Sequence, residues 1–188
     1  MEVLIIFIHQ IVFQGMFVIK NVSLRKTSGK RIRGNNKEVR AAFVYFTAFI
    51  TTSLILGLFK APIGRVSILN TSLAWIIGLV LLSFNLVIAL VSLAGMKDSW
   101  RVGVLEDQKT ELISSGIFRF SRNPYFLSYQ LMLSAYAVLL QNIILFILAV
   151  LGFFVIHNMV RKEEAYLLSI HGDHYQRYKN RVPRYLFR

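Results

Sequence analysis

The residues able to do chemistry gather late in the chain. Seven of the nine acidic residues, Asp98, Glu106, Asp107, Glu111, Glu163, Glu164 and Asp173, fall in two polar stretches of the second half. Between these stretches runs G-I-F-R-F-S-R-N-P-Y-F, residues 116–126, which stops where an apolar run begins. Pro124 suits the first turn of a helix, where its missing N–H costs nothing, and Asn123 before it is placed to cap that helix. Arg119 and Arg122 could then face an anionic group at the positive helix end, so the segment could hold a carboxylate or a phosphate. It can equally be an interfacial belt, with Phe118, Phe120, Tyr125 and Phe126 at headgroup depth and the arginines on the cytoplasmic side.

A second candidate cluster is R-K-E-E, residues 161–164, directly after another apolar run. Adjacent residues on a helix diverge by about 100°, so Glu163 and Glu164 cannot both face one ligand group. One could bind while the other pairs with Arg161 or Lys162, and a carboxylate beside lipid suits a cationic ligand. Farther on, the spacing of His171, Tyr175 and Tyr178 puts them on one helix face. No further histidine or cysteine completes a tetrahedral set around His171, Asp173 and His174, so no metal is expected. A Gly-rich phosphate loop, G-x-S-x-G and H-E-x-x-H are all missing, which removes the usual support for ATPase and hydrolase readings.

What positions these groups is membrane. The 188 residues are 55% hydrophobic and only 16% charged, too apolar for a water-facing globule and sized for a single domain. A net charge of +13 could mean nucleic acid, but in so apolar a chain it points to basic loops held against anionic membrane lipids, with no nucleic acid as partner. With no cysteine, disulfides, thiolate metal sites, Cys nucleophiles and S-palmitoylation are excluded.

A crossing needs about 20 apolar residues. Five stretches approach this: Val3 to about Ile19, Ala41 to Phe59, about Leu69 to Met96, Tyr125 to Leu140, and Ile143 to Met159. Only Gln141 and Asn142 separate the last two, which makes them a helical hairpin. The expected fold is therefore all-α and polytopic: about five transmembrane helices, the last two a hairpin, followed by a cytoplasmic C-terminal helix. This arrangement puts 20 of the 22 Lys and Arg on one side, leaving Lys60 and Arg65 opposite, so the N-terminus is expected outside and the C-terminus in the cytoplasm. The membrane would be the inner or plasma membrane in a prokaryote. Glu2 instead of a basic start, and no small-x-small cleavage site, argue that the first span is retained. Thr27 to Asn36 reads as a polar anchoring loop. His9, Gln10, Gln14 and Asn85 read as hydrogen-bonding glue between helices.

Taken in order, residues 116–126, the hairpin, K-E-E-A-Y-L-L and H-G-D-H-Y-Q-R-Y-K-N-R-V-P-R closely resemble the isoprenylcysteine carboxyl methyltransferase and phospholipid methyltransferase group of integral membrane enzymes. Their C-terminal half typically reads G-x-[FY]-[RK]-x-[STV]-R-[HN]-P-x-Y, a hairpin, E-E-x-x-L, F-G-x-x-Y-x-x-Y and V-P-R. Gly95, Ser99 and Trp100 look like the group's G-x-x-W stretch. The resemblance covers about half the chain, Gly95 to Arg188. The N-terminal half matches only in being apolar, so the chain is expected to be one integral membrane domain over 1–188, with 1–96 as scaffold helices and, as the resemblance implies, 97–188 as the cofactor-binding half.

The resemblance implies S-adenosylmethionine as cofactor and methyl transfer to a lipophilic acceptor, an isoprenylcysteine-type carboxylate or a lipid headgroup, at the cytoplasmic face. Carried across by position, Arg122 and Asn123 are the expected catalytic pair. The expected cofactor contacts are Gly116, Phe118, Arg122, Asn123, Pro124, Tyr125, Glu163, Glu164, Tyr175 and Tyr178. Within this expectation Glu164, alone or with Glu163, holds the polar part of the cofactor, Arg122 steers an acceptor carboxylate or phosphate headgroup, and Phe118 and Tyr125 face the sulfonium. Asn123 stands where many relatives have His, Phe126 replaces the motif's Tyr, and His171 replaces Phe. The alternatives are an NADPH-dependent membrane reductase of related architecture and a non-catalytic membrane subunit.

Overall fold

The computed structural model describes residues 1–28, 34, 36–60, 62–103 and 111–186. Lys30, Arg31, Arg33, Glu106, Asp107, Lys109 and Arg188, which entered the charge argument, lie outside the described residues.

Among the described residues five α-helices follow one another: α1 (Glu2–Ser28), α2 (Lys37–Leu58), α3 (Thr71–Gly95), α4 (Pro124–Leu140) and α5 (Ile143–Arg181). Short 3-10 turns at Lys97–Ser99 and Gly116–Arg119 lie between α3 and α4. Helices α1, α2, α3 and α5 are long and apolar enough to cross a membrane. The fourth has 17 residues, rising about 26 Å, and is buried along most of its length, packed most extensively on α3 and then α5. The molecule is thus an all-helical polytopic membrane protein among its described residues, with α4 as its interior helix.

Phe13, Phe49, Met132, Leu133, Tyr136 and Leu145 form the dry interior, while Phe7, Ile11, Phe43, Ile76, Phe84, Leu90, Val150 and Phe154 are exposed for lipid. Close approach of α3 to α4 depends on Gly78: a Cβ there would lie 2.4 Å from Leu139 Cγ. The glue residues are glue. Asn85 Nδ2 donates to Ser128 O at 2.7 Å, so its Oδ1 must accept from His9 Nε2 at 2.8 Å. His9 Nδ1 is then the acceptor for the Tyr136 hydroxyl at 2.7 Å, which itself accepts from Gln10 Nε2 at 2.8 Å. Gln14 donates to Gln10 Oε1. In hydrocarbon such groups must satisfy each other, and this chain fixes the register of α1 against α3 and α4.

Gln141 and Asn142 are more than a short link. Gln141 takes a left-handed backbone (φ 42), its carbonyl accepts from Val66 N, and its side chain accepts from Leu69 N. Asn142 Oδ1 caps α5 by accepting from Ile144 N and Leu145 N, while its Nδ2 donates to Ile63 O. The polar turn is thereby clamped by the α2–α3 loop at one end of the bundle.

Two boundaries differ from the sequence reading. Helix α1 continues past Ile19 to Ser28, so Lys20, Arg25 and Lys26 are helical and Thr27 and Ser28 are not loop. Basic residues in a last turn favour the helix dipole and end no helix by themselves. The C-terminal helix expected as separate is continuous with the fifth span, interrupted only by the non-helical backbone of Gly172. At 39 residues α5 rises about 58 Å, twice a hydrocarbon layer, so beyond its apolar stretch, from Arg161 onward, it runs outside the lipid.

Candidate active site

Opposite the clamped turn, where α3 ends and α4 begins, the 116–126 segment meets the far part of α5. Phe118 is buried against Gly95, and the Tyr178 hydroxyl donates to Phe118 O at 2.7 Å. Trp100 is buried, donating through Nε1 to Asn21 Oδ1 of α1 at 2.9 Å.

Arg122 is the centre of this end. Its Nε and NH2 both reach Glu164 Oε1, at 3.0 and 2.9 Å. Its NH1 donates to Lys179 O and Val182 O at 2.9 and 2.7 Å, and its backbone N–H to Pro183 O. Glu164 Oε1 also accepts from Asn123 Nδ2 at 3.2 Å, and Oε2 accepts from Arg184 Nε and NH2 at 3.1 and 2.8 Å. Asn123 Nδ2 and Ser121 Oγ further donate to Arg184 O. The Arg122 and Glu164 side chains are only 8% and 7% exposed, so their charges sit in a dry setting. Burial alone would raise the Glu164 carboxyl, but hydrogen bonds from Arg184 and Arg122 outweigh it and hold the group below its ordinary value.

Asn123 stands at the start of α4, but its side chain makes no capping bond because Glu164 and the Arg184 carbonyl engage it. Ser121 Oγ accepts from Asn123 N instead.

Beside this network lies an open-sided cavity of about 90 Å³. Met96, Ser99, Arg101, Gly103, Glu111, Leu112, Ile113, Phe118, Arg122, Asn123, Glu163, Tyr166, Leu167, Tyr175 and Tyr178 line it. The two glutamates divide as helix geometry requires: Glu164 turns to the arginines and Glu163 lines the cavity. Burial, then the negative charge of Glu164, push the Glu163 carboxyl up to about 7. Tyr175 is 1% exposed and its buried hydroxyl has no hydrogen-bond partner, although the residue lines the cavity. A smaller space of about 40 Å³, lined by Asn36, Glu38, Val39, Gly103, Met159, Lys162 and Glu163, shares Gly103 and Glu163 with the first. Lys162 and Glu38 form an ion pair at its edge.

Of the expected site residues, Phe118, Arg122, Asn123, Glu163, Tyr175 and Tyr178 line the cavity. Gly116, Pro124, Tyr125 and Glu164 do not. Gly116 is exposed at the start of its 3-10 turn with φ +59, and Tyr125 packs edge-on against Trp100, 5.0 Å away, inside the bundle. His171 is separated from Tyr175 and Tyr178 by the break at Gly172, so the three do not share one continuous helix face. Among the described residues no three His, Asp or Glu side chains gather as a metal set. Arg184, Ser121, Tyr166 and Glu111 were not expected in the site; the V-P-R motif was the only signal pointing to Arg184.

Fold and site define a polytopic helical membrane protein with a charged, half-enclosed cavity at one end of its bundle. Residues 73–174, over half the chain and spanning α3 through most of α5, match the phospholipid methyltransferase family, and the chain belongs to that family. It is also similar to protein-S-isoprenylcysteine O-methyltransferase of Schizosaccharomyces pombe, 31% identical over 93 residues, which are 48% of this chain and 39% of that protein. The chain therefore spans about two fifths of the length of the curated relative it matches.

Proposed function

We propose that this protein transfers a methyl group from S-adenosylmethionine to a lipophilic acceptor at the cytoplasmic face, with its N-terminus outside and residues 97–188 as the cofactor-binding half. The observation that carries this reading is the meeting of the R-N-P segment, Glu163 and Tyr175 around one cavity in a chain of this family.

The cavity suits that cofactor. The orphaned Tyr175 hydroxyl offers a hydrogen bond to a ligand, and the Glu163 carboxyl is a partner for a cationic centre. Phe118 and Tyr178 bring aromatic faces, and cation–π attraction contributes about 0.5–2 kcal/mol. When bound, S-adenosylmethionine supplies a methyl carbon on a positively charged sulfur that an in-line nucleophile can displace. The protein's part is alignment and exclusion of water. Glu164 acts indirectly here: its carboxylate holds Arg122 and Asn123 in place at the cavity wall.

Between the two acceptor classes, the lining favours a headgroup amine over a carboxylate. Arg122 is committed to Glu164 and Arg101 NH1 to the carbonyls of Asp98 and Trp100, whereas Glu111 and, once deprotonated, Glu163 contribute negative charge to the cavity. An ammonium must lose a proton before its nitrogen can attack, and Glu163, pushed up to about 7, is set to take it near neutral pH. The proton would then rest on the Glu163 carboxyl.

Calorimetric titration of the purified protein with S-adenosylmethionine tests this, with NADPH and the Glu163→Gln variant in parallel. Saturable binding that Glu163→Gln weakens is the expected result. No binding by folded protein, or binding of NADPH instead, overturns it. Radiolabelled methyl transfer to phosphatidylethanolamine against farnesylcysteine then decides the acceptor.

A further inference from the structure

The chain beyond Gly172 is attached differently from the rest of the protein. Gly172 interrupts α5 with φ 51 and ψ −128, a backbone state open in practice only to glycine. A Cβ at this position would meet nothing within 4 Å, so the backbone conformation, and not crowding, calls for glycine. Past this point Tyr175, Tyr178 and Val182 bury themselves with Leu112 and Leu167 in a small cluster separate from the main core.

Tyr185 leans on Phe153 and His157 of α5 and meets the main core there, and the other attachments are polar and converge on one spot. Arg122 holds the carbonyls of Lys179, Val182 and Pro183, and Arg184 reaches Glu164 with two nitrogens. The Arg184 side chain is 32% exposed while Glu164 is 7% exposed, so water reaches this pair from the arginine side. Tyr175 and Tyr178 of the same segment wall the cavity, whose other lining comes from the body of the protein. A small apolar cluster apart from the main core, which the segment touches through Tyr185, a glycine break and a largely polar fastening mark a segment that opens at lower free-energy cost than the bundle, and lids over reactive sites are drawn from such segments.

We infer that residues 173–186 form a lid over the cavity, which swings about Gly172 and is latched by Arg184 on Glu164, so that release of the latch governs cofactor exchange. The identity of the cofactor rests on the methyltransferase reading; the hinge and latch do not. Arg184 is a positioning residue, acting through Glu164. In the closed state the lid buries Tyr175 and completes the wall that excludes water. Opening it breaks the Arg184 pair and exposes Arg122 NH1.

The chain has no cysteine, so paired labels are clean. Arg119→Cys on the body and Arg177→Cys on the lid, both exposed, take spin labels in lipid nanodiscs. Distances are measured without ligand and with S-adenosylhomocysteine, in the otherwise unchanged protein and with Arg184→Gln, Arg184→Lys or Gly172→Ala. Association and dissociation rates of the ligand are followed in the same samples. Ligand should narrow the distribution to the closed distance. Arg184→Gln should populate a second, longer distance and speed association and dissociation alike by roughly tenfold, the scale of a charge-assisted hydrogen bond, with Arg184→Lys intermediate. Gly172→Ala should displace the closed distance even where the latch is intact. Faster dissociation alone would give Arg184 a merely structural role and overturn the inference. So would a single distance common to every sample. If folded protein binds no ligand, the methyltransferase reading fails, while the ligand-free distances of the latch and hinge variants still uphold or overturn the lid.

Discussion

Replacing Glu164 by methionine removes a carboxylate that accepts from Arg122, Asn123 and Arg184 at once. The cost lies mainly in what remains. Arg122, 8% exposed, keeps its bonds to Lys179 O and Val182 O but loses its counter-charge. Stranding a buried partner costs about 3–5 kcal/mol, and the two surviving carbonyls place this case near 3 kcal/mol. Arg184, 32% exposed, can turn to water and adds less than about 1 kcal/mol. For a chain of this size a loss of about 3 kcal/mol lowers the unfolding midpoint by about 6–12 °C. Unfolding in detergent, followed through Trp75 and Trp100 fluorescence, reads the shift. Arg122→Met should cost a similar amount, and the double variant far less than the sum, because no buried charge is then left alone. A Glu164→Met loss below about 1 kcal/mol, the value of an exposed pair, or strict additivity in the double variant, would refute the claim that this network fastens the site.

Glu163 gives a pH signature of opposite sign to Glu164. Its carboxyl is raised from 4.5 to about 7, so the folded state holds the extra proton across that interval. Stability should therefore decline as pH rises from about 4.5 to about 7 and level off above, and Glu163→Gln should abolish the decline in a series of thermal melts. Glu164 is held low, so its contribution is present above 4.5 and is lost as pH falls below that, a loss that Glu164→Met should remove. Gly78→Ala forces Leu139 out of place at the α3–α4 contact and should cost about 1–3 kcal/mol; an unchanged melt would show the contact to be loose. Tyr136→Phe strips His9 Nδ1 and Gln10 of their shared hydroxyl and should cost about 1 kcal/mol, while an unaltered midpoint would mean that the intramembrane chain does not hold α1.

Much of this architecture follows from local sequence. Apolar runs of near-bilayer length have few alternatives to helices, because unpaired backbone groups cannot be left in hydrocarbon, and the two-residue break at Gln141 and Asn142 permits only a hairpin. The order of the R-N-P, E-E and V-P-R motifs was legible for the same reason, as was the divergence of Glu163 and Glu164, since a helix turns adjacent side chains apart. Which glutamate faces the cavity was not. Glu164 meets Arg122 across 42 positions and Arg184 across 20, and no local spacing encodes such pairings. The same limit hid the inward turn of Tyr125 toward Trp100, the loss of Asn123's capping role to Glu164, and the α2–α3 loop that clamps the hairpin turn. Gly172 is the sharpest case: the sequence allows a helix to run through it, and only the docking of Tyr175 and Tyr178 against Phe118, Leu112 and Leu167 demands a backbone state that a glycine alone can supply there. Segment length and polarity determined which elements form and which end of the bundle carries charge; the partners of those charges were decided by packing, because side chains far apart in sequence meet only once the helices are in register.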